Sequence, residues 1–155
     1  MKTLRDEIRQ TRPFQSPEQE ALLNIERTAA VIGHRAAEWL RQYGVTPTQY
    51  NVLRILRGAG EGGLCRHEIR SRMLRPVPDV TRLLDRLEEL DMVGRERDAS
   101  DRRQVRTIIT RTGLALLERL DGPIIEFERR QIGHMSQTDL RTLIRLLSEV
   151  RARPG

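Results

Sequence analysis

The sequence predicts a mainly α-helical chain interrupted once by a small β-hairpin. Three observations carry this. Apolar residues recur at helical spacing over most of the chain. Ser16-Pro17, Thr46-Pro47, Thr110 and Ser136 each stand as a capping residue before such a stretch. The period changes only at Val93 to Arg97 and Val105 to Ile109, two short extended runs around a polar loop.

Residues 1–15 mix charged and polar positions up to Pro13 and read as a loose arm or a short first turn. Ser16 then caps, Pro17 suits the first helical position, and Gln19 completes a capping box. Leu22, Ile25, Ala29, Ile32, Ala36, Trp39 and Leu40 follow at helical spacing and end near 42–44. Thr46-Pro47-Thr48-Gln49 repeats the start signal, and Tyr50, Val52, Leu53, Ile55 and Leu56 give a second helix a broad apolar surface. Gly58 to Gly63 is turn chemistry. A short third helix spans 66–73 with Ile69 and Met73 inward. Pro76-Val77-Pro78 breaks the chain, and Pro78 opens a fourth helix, 78–90, with Val80, Leu83, Leu84, Leu87 and Leu90 on one stripe. After the hairpin, Thr110 caps a fifth helix carrying Leu114, Leu117, Leu120, Ile124, Phe127 and Ile132, with a kink expected at Gly122-Pro123. Ser136 to Asp139 caps the last, with Leu140, Leu143, Ile144, Leu147 and Val150.

A chain of 155 residues fits one compact domain. Hydrophobic residues make up 37% and aromatics only 3%, so the core is aliphatic and leaves little for an aromatic-lined catalytic or sugar-binding cleft. The net charge is +6, carried mostly by Arg, whose planar fork suits phosphate and guanine edges. Cys65 is the only cysteine, which excludes an intrachain disulfide and suits a reducing compartment. No signal peptide or membrane span is legible, so a cytoplasmic protein is expected. His34, His67 and His134 lack ligand spacing, and Cys65 with His67 is too little for zinc, so neither a metal nor another cofactor is expected. No phosphate-cradling loop and no Ser, His and Asp grouping stands out, so an enzyme is not expected. Cys65, beside Arg66 and His67, reads as a small buried hydrophobe.

The second to fourth helices and the hairpin run in the order of a helix-turn-helix followed by a wing. That order places the fourth helix where it can lie in a major groove. Opposite its apolar stripe stand Pro78, Thr81, Arg82, Asp85, Arg86 and Glu89. Arg82 and Arg86, one turn apart, can reach a base edge or a phosphate, and Thr81 offers a hydroxyl and a methyl. In the hairpin, Arg95, Arg97, Arg102, Arg103 and Arg106 cluster; a narrow minor groove accepts such an Arg. Asp101 is placed to orient Arg103, and Asp98 to fix the loop. Charges opposite an apolar stripe are commonly just a solvated face. Here their conjunction with helix order and an Arg-rich hairpin points to DNA.

Val45-Thr46-Pro47-Thr48-Gln49-Tyr50-Asn51-Val52-Leu53-Arg54-Ile55-Leu56 resembles the second-helix signature of the multiple-antibiotic-resistance regulator (MarR) family. Val80-Thr81-Arg82-Leu83-Leu84-Asp85-Arg86-Leu87-Glu88 is similar to its recognition helix. Val93-Gly94-Arg95-Glu96-Arg97-Asp98-Ala99-Ser100-Asp101-Arg102-Arg103 looks like its wing, followed by Thr110-Arg111-Thr112-Gly113. The resemblance implies a winged helix-turn-helix with four helices, a wing and two further helices. It implies a homodimer joined through 1–44 and 114–155, with 45–113 binding a pseudo-palindromic operator. It also implies a repressor relieved by a small, often aromatic or anionic, effector or by oxidation. Arg102 or Arg103 would then lie in the minor groove, braced by Asp101.

The chain departs from the family pattern in three places. Pro76-Val77-Pro78-Asp79 replaces small hydroxyl residues. Asp91 replaces the usual Gly after the recognition helix. Cys65 lies outside the first helix, where the peroxide-sensing branch keeps its cysteine. His34, Arg35, Trp39, Tyr50 and Arg54 are candidates for an effector pocket, although Trp39 and Tyr50 also suit plain core roles. Dimerisation is expected independently from the apolar surplus of the first, fifth and last helices. Asp79, Asp85 and Glu89 leave one alternative, a winged helix retained as a protein–protein adaptor.

Overall fold

The computed structural model describes residues 2–97 and 104–152; the expectations for Asp98, Asp101, Arg102 and Arg103 therefore lie outside the described residues. In order come α1 (Leu4–Glu7), α2 (Pro17–Arg41), α3 (Pro47–Ala59), a 3-10 turn (Gly60–Gly62), β1 (Leu64–Cys65), α4 (Arg66–Arg72), α5 (Val80–Glu89), β2 (Val93–Arg97), β3 (Val105–Ile109), α6 (Arg111–Ile132) and α7 (Gln137–Arg151). The predicted mainly helical winged helix-turn-helix is the observed fold. The six expected helices are α2 to α7, and α1 is the short first turn.

The helix starts are built as their sequences dictate. Thr46 and Gln49 form a complete capping box, the Gln49 N–H donating to Thr46 Oγ1 and the Thr46 N–H to Gln49 Oε1. Ser16 caps α2 through the Gln19 N–H, but the Gln19 side chain accepts from the N–H of Gln15, one residue earlier than a box requires. Thr110 and Ser136 cap α6 and α7. α6 runs through Pro123 as one helix. The donor that Pro123 lacks would have served the Arg119 carbonyl; both residues are exposed, so water can serve it.

The hairpin is one part of a three-stranded antiparallel sheet ordered β1-β3-β2, which corrects the two-stranded expectation. Leu64 pairs with Thr107 and Cys65 with Arg106, while Val93 pairs with Ile109 and Arg97 with Val105. A two-residue strand is too short for any periodicity to betray it. Gly63 makes the pairing possible: its φ is 57°, and a Cβ there would lie 2.5 Å from the Thr107 carbonyl oxygen.

One aliphatic core joins these elements. Val52, Leu53 and Leu56 of α3, Ile69 of α4, Leu84 and Leu87 of α5, Val93 of β2, and Leu117 and Leu120 of α6 are buried together. Across its edge Arg57 donates two bonds to Asp121, at 2.8 and 2.9 Å, tying α3 to α6. The outer helices contribute less. α2 buries only Leu40, and α7 buries no residue at all.

Candidate nucleic-acid interface

α5 is aimed by its own sequence. Val80, Leu84 and Leu87 are buried, and each such burial contributes about 1.5–3 kcal/mol, which fixes the helix's rotation. Thr81, Arg82, Arg86 and Glu89 are thereby exposed and Asp85 half-buried, as the spacing predicts. The helix starts later than expected. Asp79 is the cap, its Oδ1 accepting from the Arg82 N–H at 2.9 Å, so Pro78 lies before the helix and does not open it. The negative cap suits the positive end of the helix.

The exposed face is more acidic than its arginines suggest. Within Val80–Glu89, Arg82 and Arg86 stand against Asp85, Glu88 and Glu89. Arg86 Nη1 lies 2.7 Å from Glu89 Oε2, both side chains largely exposed. Arg95 is held by Asp85 and, at 3.5 Å, by Glu88, so the wing stem is clamped to α5. Arg82 makes no side-chain pair among the described residues. Arg66, at the start of α4, donates to Thr81 Oγ1 at 3.0 Å.

The sheet sorts the wing arginines. Arg95 and Arg97 share one strand face with Val93, whereas Arg106, opposite Glu96, belongs to the other. Arg106 donates to the carbonyls of Gly62 and Gly63 at 3.2 Å, tying β3 to the glycine turn ahead of β1. Between α5 and the sheet lies an open groove of about 610 Å³, lined by Cys65, Arg66, Thr81, Leu84, Arg95 and Thr107 among others. A second, of about 340 Å³, lies between the starts of α4 and α5, with Arg66, His67 and Arg70 facing Pro78, Asp79 and Thr81. Arg66, His67 and Arg70 are thus further candidates; their only sequence signal was basic charge just ahead of the turn.

Cys65 is partly buried and lines the first groove, less enclosed than the small buried hydrophobe expected of it. It ends a strand and precedes α4, where its N–H donates to Glu68 Oε2 at 2.8 Å. That bond holds the Glu68 carboxyl below the usual carboxylate range.

The candidate effector residues separate into groups. Trp39 stacks on Phe127 and leans on Tyr43, each at 5.0 Å between ring centroids. Arg35 donates to Gln131 Oε1 at 3.1 Å, and His34 lies 3.8 Å from Glu38 on its own helix. The Arg54 guanidinium sits 5.8 Å from the Tyr50 ring, whose phenol burial pushes above its ordinary value. Among the described residues no group of His, Cys, Asp or Glu is arranged to hold a metal ion. None of the described helices is long and apolar enough to cross a membrane.

A sequence model of the MarR family matches residues 43–104, from just after α2 to the wing. The HTH-type transcriptional regulator YwoH of Bacillus subtilis is 30% identical over 115 residues, covering 74% of this chain and 82% of its own. The chain belongs to the MarR family. A crystal structure of a MarR transcription factor from Planctomyces limnophilus shares 37% identity over 88% of this chain and 98% of that one, with a TM-score of 0.67. S. aureus MepR, in a structure of its complex with DNA, has the same fold at 23% identity, with a TM-score of 0.75 over 88% of this chain and 98% of that one. This MarR-family chain is accordingly a transcription regulator carrying the family's winged helix-turn-helix.

Proposed function

We propose that this MarR-family regulator is a homodimeric, sequence-specific DNA-binding repressor. It reads a pseudo-palindromic operator and is released by a small aromatic or anionic ligand. The observation that carries the reading is the face of α5, where Thr81, Arg82 and Arg86 stand clear of the core beside the clamped wing stem. In this reading residues 45–113 bind the DNA. Pro78, Thr81, Arg82, Asp85 and Arg86 line the major groove, and Arg95 and Arg97 support the wing. Arg102 or Arg103, with Asp98 and Asp101, takes the minor-groove role that the family resemblance implies.

Residues 1–44 and 114–155 join the two copies, supported by the exposed Leu22, Ile132, Ile144 and Val150. The ligand's place is assigned to His34, Arg35, Trp39, Tyr50 and Arg54. The protein works in the cytoplasm and performs no catalysis.

The test is selection of bound duplexes from a random library, followed by gel shifts over a salt series. Several neutralised phosphates give a log–log slope of about −0.9 each. Arg82→Ala should weaken the selected duplex by about 1–3 kcal/mol relative to a random one. Arg103→Ala should weaken it without changing the unfolding midpoint. Absence of any shift at low salt overturns the reading.

A further inference from the structure

The turn between α4 and α5 is held at two points. At the first, the Leu74 N–H donates to Asn51 Oδ1 at 3.0 Å, fastening the turn to α3 within the reading head, while the Leu74 side chain stays 80% exposed. At the second, Arg75 reaches out of the head altogether. Its guanidinium lies against α2 at Gly33, where a Cβ would stand 2.6 Å from Nη2 and 3.3 Å from both Cζ and Nη1. Nη2 also points at the Ala29 carbonyl oxygen, at 3.4 Å. A glycine in the middle of a 25-residue helix weakens that helix, so its value must lie elsewhere. Here it bares a patch of backbone just wide enough for a planar guanidinium.

The position of this contact gives it a consequence. α2 buries only Leu40, close to its C-terminal end, so few contacts fix the rest of its length against the head. Arg75 sits five residues before α5 begins and meets α2 at Gly33, about two turns before Leu40. A small change of angle between α2 and the head displaces α5 relative to any scaffold that α2 helps to build.

We propose that Arg75 is a positioning residue for DNA binding: docked on α2 at Gly33, it sets the angle at which α5 is carried and hence the half-site spacing a dimer reads. This role rests on the DNA-binding reading above, but the docking contact does not. Lysine does not replace Arg75, because a point charge on a flexible stem cannot lie flat on the bared backbone.

Two measurements test it. The first uses the free protein: hydrogen exchange of the 73–80 backbone in wild type, Arg75→Ala and Gly33→Ala. The alanine at 33 favours helix, so an effect of that variant does not come from unfolding α2. Both variants should speed exchange in this segment and leave the α3 core unchanged; unchanged exchange in both overturns the docking contact.

The second compares the wild-type-selected duplex with the same duplex lengthened by one base pair between half-sites. Both variants should lose discrimination between the two by roughly tenfold, and Arg75→Lys should behave as they do, with random-duplex affinity unchanged. If Arg75→Ala weakens every duplex alike and Gly33→Ala does nothing, Arg75 is a phosphate contact and the proposal is overturned. Failure of the wild type to shift any duplex overturns the DNA-binding reading instead, and the exchange data still decide the contact.

Discussion

Asp91 shows how a single residue can carry opposing terms. Its φ of 55° puts it in the left-handed region, at a cost of about 1 kcal/mol for a residue with a Cβ. Its carboxylate accepts from the Thr112 hydroxyl at 2.8 Å, and its carbonyl from the Thr110 hydroxyl at 2.6 Å, joining the end of α5 to the start of α6. Asp91→Ala keeps the strain and loses the carboxylate bond, so it should lower unfolding free energy by about 1–2 kcal/mol. Asp91→Gly loses both the strain and the bond, and should fall within about 0.5 kcal/mol of wild type. Urea titrations give the order; an alanine variant as stable as wild type would show that Thr112 contributes nothing.

Asp85 works differently, on function. Asp85→Asn removes a negative charge from the proposed DNA face and frees Arg95 from its nearest partner. Affinity for a random duplex should rise a few-fold while preference for the selected duplex falls. Parallel gel shifts on both duplexes check it, and an unchanged ratio of the two affinities would show that the clamp does not serve recognition.

At the scale of elements, the Arg57–Asp121 pair is the described bidentate link between α3 and α6. The Arg57 hydrogen bonds hold the Asp121 carboxyl below its ordinary value near 3.8. A lowered carboxylate stabilises the fold above that ordinary value, and the contribution is lost as pH falls through the lowered one. The side chains are 36% and 49% exposed, so water screens them and the pair contributes less than about 1 kcal/mol. Asp121→Asn should therefore cost a fraction of a kcal/mol at pH 7, and the difference should shrink below about pH 4. Chemical denaturation at the two pH values measures it; a difference that grew on acidification would contradict the sign.

The same scale explains what the sequence could disclose. Caps at Ser16, Thr46, Thr110 and Ser136 were legible because a cap acts within three residues. The apolar stripe of α5 was legible because burial imposes its period on the chain. The start of α5 was misplaced by two residues, because Pro78 suits a first helical turn and only geometry shows Asp79 accepting from Arg82. Strand β1, the Arg95–Asp85 clamp and the Arg75–Gly33 contact left no local signal. Each joins residues that only the tertiary fold brings together.

For the whole molecule, the question is what covers α7. None of its 15 residues is fully buried within the chain; Leu140, Leu143 and Leu147 are half-buried, while Ile144, Leu146 and Val150 are 64%, 45% and 53% exposed. A helix of this length is marginal alone in water, so an apolar face left open argues for a second copy. Ile144→Asp should leave the monomer fold intact, because the side chain it replaces touches mostly solvent. It should yield a monomer by light scattering at micromolar concentration. Two joined reading heads gain avidity that separate ones lack, so affinity for the selected duplex should fall by about 100-fold or more. Binding to a random duplex should change far less, since phosphate contacts by each head survive. An Ile144→Asp protein that still weighs as a dimer would move the interface away from α7, and with it the geometry that sets the distance between the two α5 helices.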